Sequence, residues 1–403
     1  MKFSVLFVGS ALAFATLAAE RTPSATERLR ERLLEIGRSD KFVYAWSTSW
    51  WSWNDKWFDA FHRASGVWPS LCFHEFRDIC GTWNTPGYYA TNRTNFTAVV
   101  TRGYRERGTI PLVTWHLENP YIPPKWGANQ DHQGFRYRYS EPGYPREHRD
   151  VMREIAEGTG SPCGSGRIDG GPGKTFPNPR AWYEWVVKDM TAFWRTVRDD
   201  AGRPIPIVFR LFHEMDGDWF WWGPGSATAQ DYIAVYRLTV DLIRKELGAE
   251  NVLFCYGPDR CWTEAGEEGK SGYLKWYPGD AYVDIMGFDD YSIGKGDTDE
   301  KADANFNETL RKLRLVCDYA RPRGKVVGVT ETGCKDARTD FWARLLRLAV
   351  SEGVDCAFVD TWGGPWSYPD SDAGIEDQRR FLADPAVLMV DGERLRAAAD
   401  RWF

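Results

Sequence analysis

Two glutamates stand where short apolar runs give way abruptly to polar residues. Glu214 lies in Arg210-Leu211-Phe212-His213-Glu214-Met215-Asp216-Gly217, and Glu331 lies in Thr330-Glu331-Thr332-Gly333. Similar ends occur at Trp115-His116-Leu117-Glu118-Asn119-Pro120, Gly287-Phe288-Asp289-Asp290-Tyr291 and Thr361-Trp362-Gly363-Gly364. An unpaired carboxylate is expensive to bury, so one such end reads as an ion pair, whereas several converging on one face argue for a site. Retaining cleavage of a glycosidic bond needs two carboxyl groups about 5–5.5 Å apart, one attacking the anomeric carbon and one protonating the leaving oxygen. The proton donor must hold its proton near neutral pH, which apolar surroundings or a neighbouring carboxylate would achieve. For Glu214 the run Trp219-Phe220-Trp221-Trp222 offers such surroundings. Arg210 precedes Glu214 by four residues, so strand alternation points both to one side, where a guanidinium helps keep a carboxylate ionised.

Other chemistries fit less well. His213-Glu214 begins like a zinc-binding HExxH motif, but Gly217 occupies the second histidine position. Of only six histidines, His116 and His213 alone sit at strand ends, which argues against a histidine-rich metal centre. Gly173-Lys174-Thr175 has the end of a phosphate loop, yet Ile168 stands where the leading glycine belongs and no strand precedes it. There is no GxSxG elbow and no kinase signature.

The elements that must position these residues alternate in type. Strand-like runs cover Phe42–Trp46, Ser70–Phe76, Ile110–Trp115, Ile205–Phe212, Val252–Tyr256, Val283–Phe288, Val326–Thr330 and Cys356–Asp360. Helical patterns between them include Ala181–Val197, Ala229–Leu247, Ala302–Tyr319 and Phe341–Ser351. Eight strands with intervening helices predict an α/β fold, a single-domain (β/α)8 TIM barrel, with the polar strand ends gathered at one mouth. The predicted organisation is a signal peptide over 1–19, a lead-in over 20–40 and the barrel over 41–403. A long irregular insertion, 126–179, is rich in Gly, Pro and Arg and forms either a substrate wall or a plain surface excursion.

Composition narrows the partners. The 403 residues carry 27% charged and 43% hydrophobic side chains with a formal net charge of −6, which is globular and lacks the basic stripe that nucleic acid would require. A neutral polysaccharide suits that balance. Tryptophan is abundant, 21 in all, and clusters such as Trp50-Trp51-Ser52-Trp53 sit in loop-like surroundings where flat rings would meet sugar faces. Most single tryptophans are nonetheless expected in the core.

Lys2 followed by the apolar run Phe3–Ala19 reads as a secretory signal, giving an extracellular or, in a bacterium, periplasmic protein with no membrane segment in its mature form. Eight cysteines fit an oxidising compartment, and Cys72/Cys80 and Cys255/Cys261 are near enough in sequence to pair locally. Cys163, Cys317, Cys334 and Cys356 stay open as buried thiols. Asn92, Asn95 and Asn307 head glycosylation sequons that matter in a eukaryotic source.

The long run from Arg210 to Gly223 and the shorter Thr330–Gly333 motif resemble those of glycoside hydrolase family 26, whose best-known members are β-1,4-mannanases. Trp115-His116, Asn119-Pro120, Gly287-Phe288-Asp289, Tyr291 and Trp362-Gly363 match in the expected order, so the resemblance covers most of the barrel. It implies Glu214 as acid/base and Glu331 as nucleophile, with no metal and no cofactor. It also implies that His213 lies beside the reacting sugar, that Tyr291 bonds the nucleophile, and that His116, Trp219 and Trp362 line the same subsite. Asp289 is expected nearby, as a substrate contact or a structural hydrogen-bonder, with Arg210 in the same wall. The expected activity is a monomeric endo-β-1,4-mannanase acting by double displacement. Alternatives are a xylanase or mixed-linkage glucanase of the same family, an exo-acting mannobiohydrolase, or a secreted carbohydrate-binding protein without activity. Asp216 departs from the family's common Asn and adds a carboxyl two residues from the acid.

Overall fold

The computed structural model describes residues 23–47, 71–75, 88–107, 109–122, 136–164, 174–246, 248–262, 272–363, 366–367, 369 and 371–388. Eight parallel strands form the barrel sheet, β1 (Phe42–Ser47), β2 (Leu71–Glu75), β3 (Ile110–Thr114), β4 (Ile207–Arg210), β5 (Val252–Tyr256), β6 (Ile285–Asp289), β7 (Val326–Thr332) and β8 (Cys356–Thr361), and a ninth, two-residue strand, Val387–Leu388, pairs with the start of β1. Neighbours follow chain order, and β8 returns to pair with β1 through Val43↔Phe358 and Tyr44↔Val359. The sheet is thereby the barrel expected from the alternating pattern. β3 to β8 are buried along their lengths, which is why they appear in the sequence as continuous apolar runs rather than alternating ones.

Helices cover the sheet. They are α1 (Ala25–Gly37), α2 (Tyr88–Arg107), α3 (Val151–Glu157), α4 (Pro179–Trp194), α5 (Ala229–Asp241), α6 (Asp299–Ala320), α7 (Phe341–Ala349) and α8 (Asp372–Ala383). α1 is the lead-in. Ser24 and Glu27 form a reciprocal capping box at its start, and Leu29, Leu33 and Ile36 turn one buried stripe inward. Its polar contacts fall just before strand starts: Thr26 donates to the Glu250 carbonyl and Arg30 to the Gly324 carbonyl. At its end a Cβ on Gly37 would stand 2.6 Å from the Asp355 carbonyl, so only glycine lets the helix approach β8 there. α1 therefore seals the end of the barrel opposite the polar strand ends.

The insertion after β3 is described in part. Its residues 126–135 and 165–173 lie outside the described ones. The rest holds α3 and a small antiparallel pair, Cys163–Gly164 with Thr175–Phe176. Asn119 ties it down: its amide donates to the Tyr137 carbonyl and the Tyr144 hydroxyl, and its oxygen accepts from the Tyr121 N–H.

The expected Cys255–Cys261 bridge does not form. Cys255 is a buried thiol inside β5, whereas Cys261 is exposed in the following loop and donates to Asp259. A residue pointing into a strand's packed surroundings cannot meet one beyond the strand's end. Cys163, Cys317 and Cys356 are buried thiols. The side chain of Cys72, all of Cys80, the apolar leader and the Trp50–Trp53 cluster lie outside the described residues. No helix among the described residues is long and apolar enough to cross a membrane.

Candidate active site

Glu331 lies near the end of β7 and is 6% exposed. Two groups hold its carboxylate, and one of them also grips a second acid. Arg210 Nη1 donates to Oε2 at 2.8 Å, the Tyr291 hydroxyl donates to Oε1, and Arg210 Nη2 simultaneously grips Asp289. Asp289 is fully buried and also accepts from the Thr330 hydroxyl at 2.7 Å. Burial pushes the Asp289 carboxyl up, and the Arg210 charge opposes it. Arg210 itself is completely enclosed, so its charge is matched by the two carboxylates it touches. Arg210 and Asp289 thus sit in the wall behind Glu331 rather than on an open surface.

Glu214 arrives differently from the expected alternation. β4 ends at Arg210, and the chain then turns through Phe212 and Glu214, both with positive φ (48° and 51°). Left-handed backbone at non-glycine residues costs about 1–3 kcal/mol each and persists only where surroundings impose it. Here the Glu214 N–H donates to the Gly257 carbonyl at 2.8 Å, and the Gly217 N–H closes the turn onto the Glu214 carbonyl. The Trp219 indole N–H donates to Glu214 Oε2 at 2.7 Å. Gly217 makes this possible, because a Cβ there would stand 2.1 Å from the Trp219 ring. Burial, the negative charges of Glu331 and of Asp259, together push the Glu214 carboxyl up to about 8, against Arg210 and the Trp219 N–H.

Carboxylate oxygens of Glu214, Asp289 and Glu331 all lie within 4.8 Å of one another. Three acids so close would suit a cation, but the Arg210 guanidinium already occupies the space between two of them and supplies the positive charge. Beside that ion network stands the half-buried Glu214, so a carboxyl raised by burial and an arginine-held carboxylate are close neighbours, an arrangement that can pair a proton donor with a nucleophile.

The remaining expected residues gather around the pair. His213 and His116 meet edge to face at 4.6 Å, and Phe220 packs on both. Burial and then the Arg210 charge hold the His213 imidazole well below its ordinary range, so it is neutral, and its Nδ1 has no hydrogen-bond partner. Trp362 is half-buried, its backbone N–H bonded to the Thr332 carbonyl beside Glu331. Within the Trp219–Trp222 run only Trp219 faces the acid. Trp221 and Trp222 are buried, donating to the Leu117 and His213 carbonyls. Asp216 turns away from Glu214 and accepts the backbone N–H groups of Asp259 and Trp262 at 2.7 and 3.0 Å. Asp259 and Arg138 were not singled out in the sequence, since each acts through a contact between distant segments.

A barrel of eight parallel strands with two facing carboxyl groups beyond β4 and at β7 defines a class, the (β/α)8 barrels with a paired-carboxylate site. Within it, the family model described as Glycosyl hydrolase family 26 matches residues 182–343, which contain both glutamates, and through that segment the chain is related to the family. The chain is 35% identical over 182 residues to a mannan endo-1,4-beta-mannosidase of Bifidobacterium adolescentis, a match covering 42% of the chain and 17% of that relative. A second mannan endo-1,4-beta-mannosidase, from Bacillus subtilis, is 33% identical over 175 residues, covering 39% of the chain and 45% of the relative. The matches thus span under half the length of either relative. Among solved structures, GH26C from a Muricauda species overlays with a TM-score of 0.71 at 24% identity, covering 91% of both chains. A Cellulomonas fimi endo-beta-1,4-mannanase double mutant overlays at 0.70 with 22% identity, covering 91% of this chain and 76% of that one. Likeness at that identity supports the barrel itself.

Proposed function

We propose that the protein is a secreted retaining endo-β-1,4-mannanase. Glu331 attacks the anomeric carbon while Glu214 gives its proton to the departing glycosidic oxygen. Glu214 then takes a proton from the water that releases the glycosyl ester, so both groups return to their starting states. One observation carries this reading: two carboxyls within 4.8 Å in unlike surroundings, Glu331 gripped by the Arg210 guanidinium and the Tyr291 hydroxyl, and Glu214 with its carboxyl raised by burial and by its neighbour's charge. The mannan endo-1,4-beta-mannosidase activity of the two relatives favours mannan as the polymer. A β-glucanase reading has one observation in its favour, 37% identity over 118 residues to an endoglucanase H of Acetivibrio thermocellus.

The test is hydrolysis of linear mannan and of mixed-linkage glucan, with the first product followed by NMR. A β-anomer formed first, from mannan in preference to glucan, is expected. Glu331→Ala should abolish turnover on every substrate. Glu214→Ala should lose polymer cleavage by roughly 100-fold or more yet retain the first step on dinitrophenyl glycosides, whose leaving group needs no proton. Equal loss on both substrates would remove Glu214 from the acid role.

A further inference from the structure

The loop that carries Trp219 is gripped from outside the barrel. Arg138, in the insertion after β3, donates from Nη1 to the Trp219 carbonyl at 3.3 Å. The next residue, Tyr139, donates its N–H to the Ser226 hydroxyl at 3.1 Å, so the segment 219–226 is held at both ends by adjacent residues of the insertion. Glu141, three residues on, lies 3.4 Å from the same Arg138 nitrogen and orients the guanidinium. On the other side Tyr137 is buried, and its carbonyl accepts from Asn119 at the mouth of β3. A continuous set of contacts therefore runs from β3 through Asn119, Tyr137 and Arg138 to Trp219, and from the Trp219 indole to Glu214 Oε2.

We infer that the insertion after β3 is part of the proton-donating machinery, with Arg138 as a positioning residue that holds Trp219 so that its N–H engages Oε2 and the acid proton resides on Oε1. The inference rests on the acid/base role proposed above for Glu214. The chemistry is simple. In a protonated carboxyl the bare oxygen is the better acceptor, so an N–H fixed on Oε2 places the O–H on the other oxygen. Without the clamp the indole swings, either oxygen carries the proton, and a fraction of bound substrate meets an acid with its proton misplaced.

The experiment compares Arg138→Ala, Arg138→Lys, Trp219→Phe and the Arg138→Ala/Trp219→Phe double variant, in the full chain, on mannan and on a dinitrophenyl β-mannobioside. Arg138→Ala should lower kcat on mannan roughly ten-fold, a part of the full effect of general acid catalysis, with KM little changed and the dinitrophenyl substrate unaffected. Arg138→Lys should recover part of that loss, since an ammonium still donates to one carbonyl. The double variant should be no slower on mannan than Trp219→Phe alone, because both changes act through one N–H. Equal loss on the two substrates, or additive losses in the double variant, would overturn the inference. Should Arg138→Ala lack a cooperative melting transition, Arg138→Lys alone and combined with Trp219→Phe carries the same comparison. A wild-type chain that cleaves neither substrate sinks the glycosidase reading instead, so the two failures are told apart.

Discussion

Two carboxyls a few ångströms apart resist ionising together, and in this molecule the asymmetry comes from what each touches. Glu331 receives a guanidinium and a phenol, whereas Glu214 receives one indole N–H and the field of its neighbours. The Glu214 carboxyl, at about 8, stays protonated through neutral pH, so kcat/KM on mannan should hold until near pH 8 and then fall about ten-fold per unit. Asp259 raises that value by its charge from the loop after β5. Removing the charge with Asp259→Asn lowers the cost of ionising Glu214, so the descending limb should move to lower pH. A pH–rate profile on mannan checks this, and a limb that stays in place or moves upward would show that the Asp259 charge does not reach the acid.

At the scale of elements, strands were far more legible than turns. All eight strands lie where apolar runs predicted them, within a few residues, because a strand buried on both faces cannot hide its composition. α4, α5, α6 and α7 were also readable from their apolar spacing. α1, α2 and α8 were not, since Arg and Glu crowd α1 and only Leu29, Leu33 and Ile36 mark its inner stripe. The convergence of Glu214 with Arg210 was foreseen on a reason that does not hold. Alternation stops at Arg210, and the two positive-φ residues beyond it, neither of them glycine, leave no signal in the sequence. Asp216 belongs to the same turn, and its position showed only in three dimensions, as the clasp between that turn and the β5 loop. Burial and then the Asp259 charge raise its carboxyl to about 7 from an ordinary 3.8. A raised carboxyl stabilises the fold most when protonated, fully below the ordinary value, and that contribution is lost as pH climbs through 7. Asp216→Asn cannot ionise, although it sacrifices one of the two backbone bonds. The difference in Tm, variant minus wild type, should therefore rise between pH 5 and pH 8, whatever its sign at pH 5. Parallel melting curves across that range would refute the assignment.

The molecule as a whole divides its tasks between the two ends of the barrel. The strand ends beyond β4 and within β6, β7 and β8 hold the carboxyl pair and its neighbours, with strained backbone and an enclosed ion network that a stable fold must tolerate. The opposite end is closed by α1, whose contacts reach the residues just ahead of β5, β7 and β8. Such an end serves stability rather than chemistry. Leu33 is fully buried in the middle of that plug, with no polar partner and no path to the carboxyls except through the packed barrel. Leu33→Ala should cost about 2–5 kcal/mol of unfolding free energy, the usual range for a buried leucine that leaves a cavity. At 25 °C its kcat on mannan should match wild type, because the strand ends are set by the sheet and not by the plug. Denaturant unfolding gives the first quantity and initial rates the second. A kcat that falls alongside stability would mean that the two ends are mechanically coupled, and that the plug tunes the geometry of Glu214 and Glu331 from the far side of the sheet.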